Sequence, residues 1–314
     1  MRIPACMAFR RFSGGKNGIR DVFISGIWKG RIPLTPERKK ELADFALQMR
    51  TDCIRMTNHG QSGHIGSMLS MTEMVAYLYN GVLNITPETT KDPERDRFIL
   101  SKGHAGAAVY SALCRKGYFP EDWLMTYYRD DGKLMGHISH HVPGVEFSTG
   151  SLGHGLPVAT GMALSAKIKG QKHRVYCLMS DGDMNEGSTW EAIVFAAQQK
   201  LDHLIGIIDY NRIQALGFSK DIADLEPLDK KLADFGWSAV YIDGHSFEEI
   251  EEAFAKLPFE EGKPSMIISR TVKARGVPWL ENTVKSHYGF IPDDKVEEAI
   301  AGCRAFRDTF VKGA

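Results

Sequence analysis

Two residues thirty positions apart carry the first chemical signal: Asp181, in the turn Ser180-Asp181-Gly182-Asp183, and Asn211, closing the run Asp209-Tyr210-Asn211. A carboxylate, an amide oxygen and a nearby backbone carbonyl suit a hard cation such as Mg2+, which keeps positions open for water or phosphate. An apolar run, 175–179, leads into the first turn, a helical stretch follows it, and a second apolar run, 204–208, leads into Asp209. This is a β-α-β unit. Neighbouring parallel strands lie roughly 5 Å apart, so groups just past their carboxyl ends share one edge of the sheet. The pair reads as a metal and diphosphate site. Asp, Gly and Asn are also ordinary turn formers, and only their pairing on one unit favours the ion.

Glycine and histidine loops surround this unit in the sequence. His64 sits in 59–66, a segment with three glycines in which backbone can approach a ligand closely. A strand at 98–100 runs into Ser101-Lys102-Gly103-His104-Ala105-Gly106 and then an alanine-rich helix, 107–114, an order that presents a helix N-terminus to an anion. The stretch 130–155 holds His137, His140, His141 and His154 with six glycines and reads as a long loop. Without a companion Cys or an H-E-x-x-H spacing, these histidines do not form a zinc motif. Gly150-Ser151-Leu152-Gly153-His154-Gly155 opens a helix over 156–169, yet neither G-x-G-x-x-G nor a P-loop is present.

The elements that must position these groups alternate along the chain. A helix over 35–58 starts with Thr35 as cap and Pro36 at its first position, and a helix follows at 71–79. Beyond Asn211 come a helix at 225–234, a strand at 238–242, a helix at 246–256, a strand at 265–269, an irregular stretch at 270–289 and a last helix from Pro292 to about Val311. Asp243-Gly244-His245 follows one of these strands. Alternation of this kind predicts an α/β fold, a mainly parallel sheet with helices on both faces.

Composition excludes several classes. The chain has 314 residues, 43% hydrophobic and 25% charged, with 39 basic against 39 acidic residues, which gives no electrostatic case for nucleic acid or an anionic membrane. No window reaches 18 uncharged apolar residues. Five scattered cysteines without C-x-x-C argue against a disulfide framework and for a cytoplasmic protein; the triplet Asn84-Ile85-Thr86 is discounted as a sequon. Residues 1–34 read as a poorly ordered extension, with Met7 as an alternative start, rather than as an Arg-rich transit peptide. The rest, 35–314, reads as one domain.

Taken together, these segments resemble the thiamine diphosphate enzymes and, within them, transketolase. The general signature, G-D-G followed about thirty residues later by N-N, stands here as Ser180-Asp181-Gly182 and Tyr210-Asn211. Four further segments occur in the transketolase order: SGHIG at 62–66, LSKGH at 100–104, GVEFSTGSLGHG at 144–155 and VKSHYG at 284–289. The resemblance implies a thiamine diphosphate-binding fold, with Asp181, Asn211 and the Ile213 carbonyl as Mg2+ ligands (Ca2+ or Mn2+ could substitute). It implies that Gly182, His104 and His287 contact the diphosphate, that Gly150 and Leu152 meet the aminopyrimidine, and that His64, His137 and His287 face the reacting end of a sugar. Glu186 would be the interface carboxylate that communicates with a second active site. Ser180 stands where the family has Gly and Tyr210 where it has Asn; neither change removes an expected ligand.

A transketolase is about twice this length and carries a pyrimidine-binding domain after the diphosphate-binding one. The resemblance therefore implies the N-terminal subunit of a split transketolase, a heterotetramer with a C-terminal partner, moving a two-carbon ketol unit between sugar phosphates. The α subunit of a 2-oxo acid dehydrogenase, and a non-catalytic homologue that only binds cofactor, are the alternatives.

Overall fold

The computed structural model describes residues 34–311. The extension expected over 1–34 therefore lies, apart from Leu34, outside the described residues. In chain order the helices are α1 (Pro36–His59), α2 (Ile65–Ser70), α3 (Thr72–Tyr77), α4 (Gly106–Arg115), α5 (Gly155–Lys169), α6 (Gly187–Gln198), α7 (Ser219–Ile222), α8 (Leu228–Asp234), α9 (Phe247–Ala255) and α10 (Val296–Val311). The strands are β1 (Arg97–Leu100), β2 (Val175–Ser180), β3 (Leu204–Tyr210), β4 (Ser238–Asp243) and β5 (Ser265–Arg270). They pair in parallel in the order β1-β2-β3-β5-β4.

Strands β2 and β3 are buried along their whole length, which is why both read as unbroken apolar runs. Alternate strand residues feed two cores. Tyr176, Leu178, Ile205 and Ile207 face α1, α3, α4, α9 and α10, whereas Cys177, Met179, Leu204 and Ile208 face α5, α6 and α8. The helices thus cover both faces, as the alternating pattern predicts. No helix among the described residues is long and apolar enough to cross a membrane.

Helix α1 begins as expected: Thr35 is extended, its side chain accepts from the Arg38 N–H, and Pro36 follows. Three other boundaries move. The helix expected over 71–79 begins at Ile65, stops at Met71 and restarts as α3; every residue of α2 and α3 is buried, so no amphipathic period marked their limits. The helix expected at 225–234 is the shorter α8, preceded by Pro227, with α7 as a separate turn before it. Residues Asp293–Lys295 form one tight turn, which delays the last helix to Val296.

A buried ionic group links α1 and α3. Arg50 and Glu73 are 2% and 0% exposed, the Arg50 Nη2 donates to Glu73 Oε2 at 2.8 Å, and its Nη1 reaches the other carboxylate oxygen. Burial alone would raise the Glu73 carboxyl, but the guanidinium beside it overrides this and holds it at about 2. Glu73→Ala leaves Arg50 buried without its counter-charge and is expected to cost about 3–5 kcal/mol. The check is the urea midpoint, which should drop sharply for this variant; a midpoint at the wild-type value contradicts the assignment.

Candidate active site

The register of the two central strands sets the site. Ser180 at the end of β2 pairs with Asp209 near the end of β3, so Asp181 and Asn211 emerge beside one another past the carboxyl edge of the sheet. Asp181 is 1% exposed; its Oδ1 accepts the Gly182 N–H at 3.1 Å and its Oδ2 accepts the Ser219 hydroxyl. Burial pushes its carboxyl up, and a bound cation would reverse that shift. Asn211 donates from Nδ2 to Asp209 at 3.0 Å, and its Oδ1 accepts the Ile213 N–H at 3.1 Å. The Ile213 carbonyl accepts from Lys273 Nζ at 2.6 Å, so a cation already rests on one of the three oxygens. The donor set, a carboxylate, an amide oxygen and a carbonyl, fits a hard divalent ion.

These groups line a cavity of about 330 Å3 together with His64, His104, His137, Gly150, Leu152, Gly182, Lys273 and His287. The His64 ring centroid lies 5.0 Å from that of His104, 5.9 Å from that of His137 and 5.3 Å from that of His287. A larger cleft, about 700 Å3, shares Asn211 and Ile213 with this cavity, and no histidine lines it.

The glycine motifs interlock to build this cluster. His64 takes φ 72° and donates its N–H to the His287 carbonyl at 2.7 Å. A Cβ at Gly66 would stand 2.6 Å from Ser286 Oγ, and one at Gly103 only 2.1 Å from the Thr149 carbonyl oxygen. Close backbone approach therefore joins SGHIG to VKSHYG, and LSKGH to the loop before α5. Asp183, fully buried, ties the remaining pieces: it accepts from Ser180 N–H and hydroxyl, from Ser101 Oγ at 2.6 Å and from Gly153 N–H at 2.8 Å.

Burial lowers every imidazole of the cluster below its ordinary 6.5, with His64 at about 4 and His287 at about 3, the latter also repelled by Lys273. The rings are neutral at pH 7, each offering one donor and one acceptor. Lys273 is pushed down to about 8 by burial, which the Asp181 carboxylate partly opposes.

All but one of the residues given a metal, cofactor or catalytic role by the resemblance line this cavity. The exception is Glu186, which is exposed at the start of α6. His140 and His141 pack on each other 4.2 Å apart, and His154 is exposed before α5, so of the four histidines of 130–155 only His137 reaches the cavity. Sequence reasoning missed Lys102, Lys273, Asp183 and Asp209. Lys102 and Asp183 were visible inside the motifs LSKGH and SDGD; nothing local marks Lys273.

The family model described as "Transketolase, thiamine diphosphate binding domain" matches residues 40–303. The chain belongs to the transketolase family. It is 44% identical over 244 residues to a subunit of the apulose-4-phosphate transketolase of Actinobacillus succinogenes, covering 77% of this chain and 88% of that protein. It is 41% identical over 240 residues to the 6-deoxy-6-sulfo-D-fructose transketolase subunit SqwG of Clostridium sp., covering 76% and 87%. Among solved structures, the Campylobacter jejuni transketolase superposes with a TM-score of 0.78 at 30% identity, over 87% of this chain and 46% of that one. The chain thus spans about half the length of the solved transketolases it matches, and the fold and the thiamine diphosphate-binding domain expected from the resemblance hold.

The neutral imidazoles give the transketolase chain a defined pH response. In the unfolded chain His64 and His287 take up protons near 6.5, and the folded rings refuse them until about 4 and about 3. The contribution of these two rings to stability is therefore fully present above about pH 6.5 and is lost as pH drops toward 4. Denaturation of the cofactor-free chain at pH 7 and pH 5 should show this loss, and a His64→Asn/His287→Asn double variant should show less of it; equal pH dependence in the two proteins would contradict the reading.

Proposed function

We propose that this chain is the diphosphate- and metal-binding subunit of a two-subunit transketolase. The reaction is transfer of a two-carbon ketol unit from a ketose phosphate to an aldose acceptor, with thiamine diphosphate and Mg2+. The observation that carries the proposal is the single cavity in which Asp181, Asn211 and the Ile213 carbonyl face four neutral imidazoles and Lys273. Relatives of similar length bear the names of transketolase subunits, which supports a partner supplying the pyrimidine-binding half and favours ketol transfer over the dehydrogenase reading. Residues 35–314 would form the cofactor domain, assembled with the partner as a cytoplasmic heterotetramer.

The roles follow from the chemistry of each group. Asp181, Asn211 and Ile213 would hold Mg2+, and Gly182, His104, His287 and Lys273 would hold the diphosphate through neutral and cationic donors. Gly150 and Leu152 would present backbone to the aminopyrimidine. When bound, the thiazolium supplies the carbon nucleophile. His64, His137 and His287, neutral and clustered, would orient sugar hydroxyls and move protons at the reacting carbonyl and hydroxyl oxygens. Glu186, exposed at the start of α6 and outside the cavity, is suited to a contact between protomers rather than to substrate.

Three outcomes test this. Asp181→Ala should weaken Mg2+-dependent thiamine diphosphate binding in the assembled complex by about 100-fold while the protein stays folded; unchanged affinity refutes the metal assignment. His64→Ala should lower kcat by roughly 10^2- to 10^4-fold with little change in cofactor affinity, and a normal kcat removes it from the catalytic group. With xylulose 5-phosphate and ribose 5-phosphate, turnover should require the partner, so full activity of the chain alone overturns the two-subunit reading.

A further inference from the structure

The turn Asp243-Gly244-His245 leaves β4 without touching the cavity, yet its imidazole makes two buried contacts that lead there. His245 Nε2 accepts the Val272 N–H at 2.9 Å, and His245 Nδ1 meets Glu73 Oε2 at 2.8 Å. Because the backbone N–H can only donate, Nε2 is the bare nitrogen and the ring proton sits on Nδ1, shared with the Glu73 carboxylate. Glu73 is in turn clamped by Arg50, whose Nε donates to the Arg275 carbonyl at 3.2 Å.

The triad thus grips the backbone on both sides of Lys273, at Val272 and at Arg275. Between these anchors the chain is further tied by the Ala274 N–H to the Gly66 carbonyl at 3.0 Å and by the Asn282 N–H to the Lys273 carbonyl at 3.1 Å. Ala274, fully buried, takes φ 63°, a left-handed conformation costly for a residue with a Cβ and retained only where its surroundings impose it. From this fixed segment the Lys273 side chain reaches the Ile213 carbonyl at 2.6 Å and His287 Nδ1 at 2.8 Å.

We infer that His245 is a positioning residue for the cofactor site: through the Val272 N–H it sets the backbone from which Lys273 addresses the diphosphate. The inference rests on the reading of Lys273 as a diphosphate contact. A buried imidazole that merely filled space would need neither a defined tautomer nor an acceptor aimed at one residue before the lysine. The Arg50–Glu73 pair supplies the rigid base, because a guanidinium and carboxylate desolvated together hold one geometry.

Two substitutions separate the contacts of the ring. In His245→Asn the shorter amide can still donate to Glu73 but falls short of Val272; in His245→Gln the longer amide oxygen can accept the Val272 N–H, while Glu73 keeps Arg50. Thiamine diphosphate is titrated into the assembled complex with Mg2+, and each variant is also melted. H245N is expected to bind cofactor about 10- to 100-fold more weakly, the range typical of losing an outer support, with a much smaller drop in kcat at saturating cofactor. H245Q should bind close to wild type. Wild-type affinity in H245N, or equal loss in both variants, overturns the inference. Should H245N not fold, H245Q decides alone: wild-type affinity at a lowered melting temperature supports positioning, and weak affinity at full stability overturns it.

Lys273→Met supplies the control. If His245 acts through Lys273, adding H245N to K273M costs no further affinity, whereas a full additive loss overturns the inference. If K273M alone binds cofactor like wild type, it is the diphosphate reading of Lys273 that fails, and this result needs no His245 variant to be seen.

Discussion

One buried carboxylate fixes the arrangement on which the site depends. Asp209, 2% exposed, receives the ammonium of Lys102, itself fully buried, the hydroxyls of Ser70 and Thr271, and the Asn211 amide at 3.0 Å. Lys102 also donates to the Ser67 carbonyl at 3.0 Å. The ends of β1, β3 and β5 and the helix α2 thus converge on a single charge. Burial would raise the Asp209 carboxyl, but Lys102 and the hydroxyl donors hold it below its ordinary value. A desolvated pair of this kind tolerates no missing partner, so it enforces geometry more than it adds stability. By taking the Asn211 N–H, Asp209 also decides which end of that amide remains an acceptor.

Around this charge the glycine motifs act as spacers. The 2.1 Å that a Gly103 Cβ would leave to the Thr149 carbonyl oxygen, and the 2.8 Å that one at Gly66 would leave to the Ser286 carbonyl oxygen, show backbones pressed together where any side chain would separate the imidazoles. Asp183 performs the complementary task. It satisfies donors from β2, from the LSKGH turn and from the loop before α5, so that Asp181, the next-but-one residue in the same turn, is free of structural duty except toward Ser219 and Gly182.

Much of this was legible in the sequence because the chemistry is carried by short motifs at strand ends. The apolar runs before Asp181 and Asn211 foretold two buried neighbouring strands, and the histidine and glycine segments foretold their meeting. What stayed hidden was long-range. Lys273 lies in an irregular stretch with no periodicity, and its importance arises from contacts to Ile213 and His287 that only folding creates. The start of α2 was invisible for a different reason: a helix buried on all sides has no polar face to reveal it. Glu186 shows the reverse, a residue marked by its place in a motif that the fold sets on the surface.

The cavity has a floor and walls but an open rim. Leu216 and Tyr288, which line it, are 90% and 65% exposed. Exposed side chains at this rim are placed where the partner subunit proposed above would cover them. If the proposed partner subunit covers this rim, retention of a bound cofactor is linked to assembly by mass action. Dilution would then act like a competitive ligand, emptying the site by separating its halves, and the concentration of one polypeptide would set how much of the other is loaded.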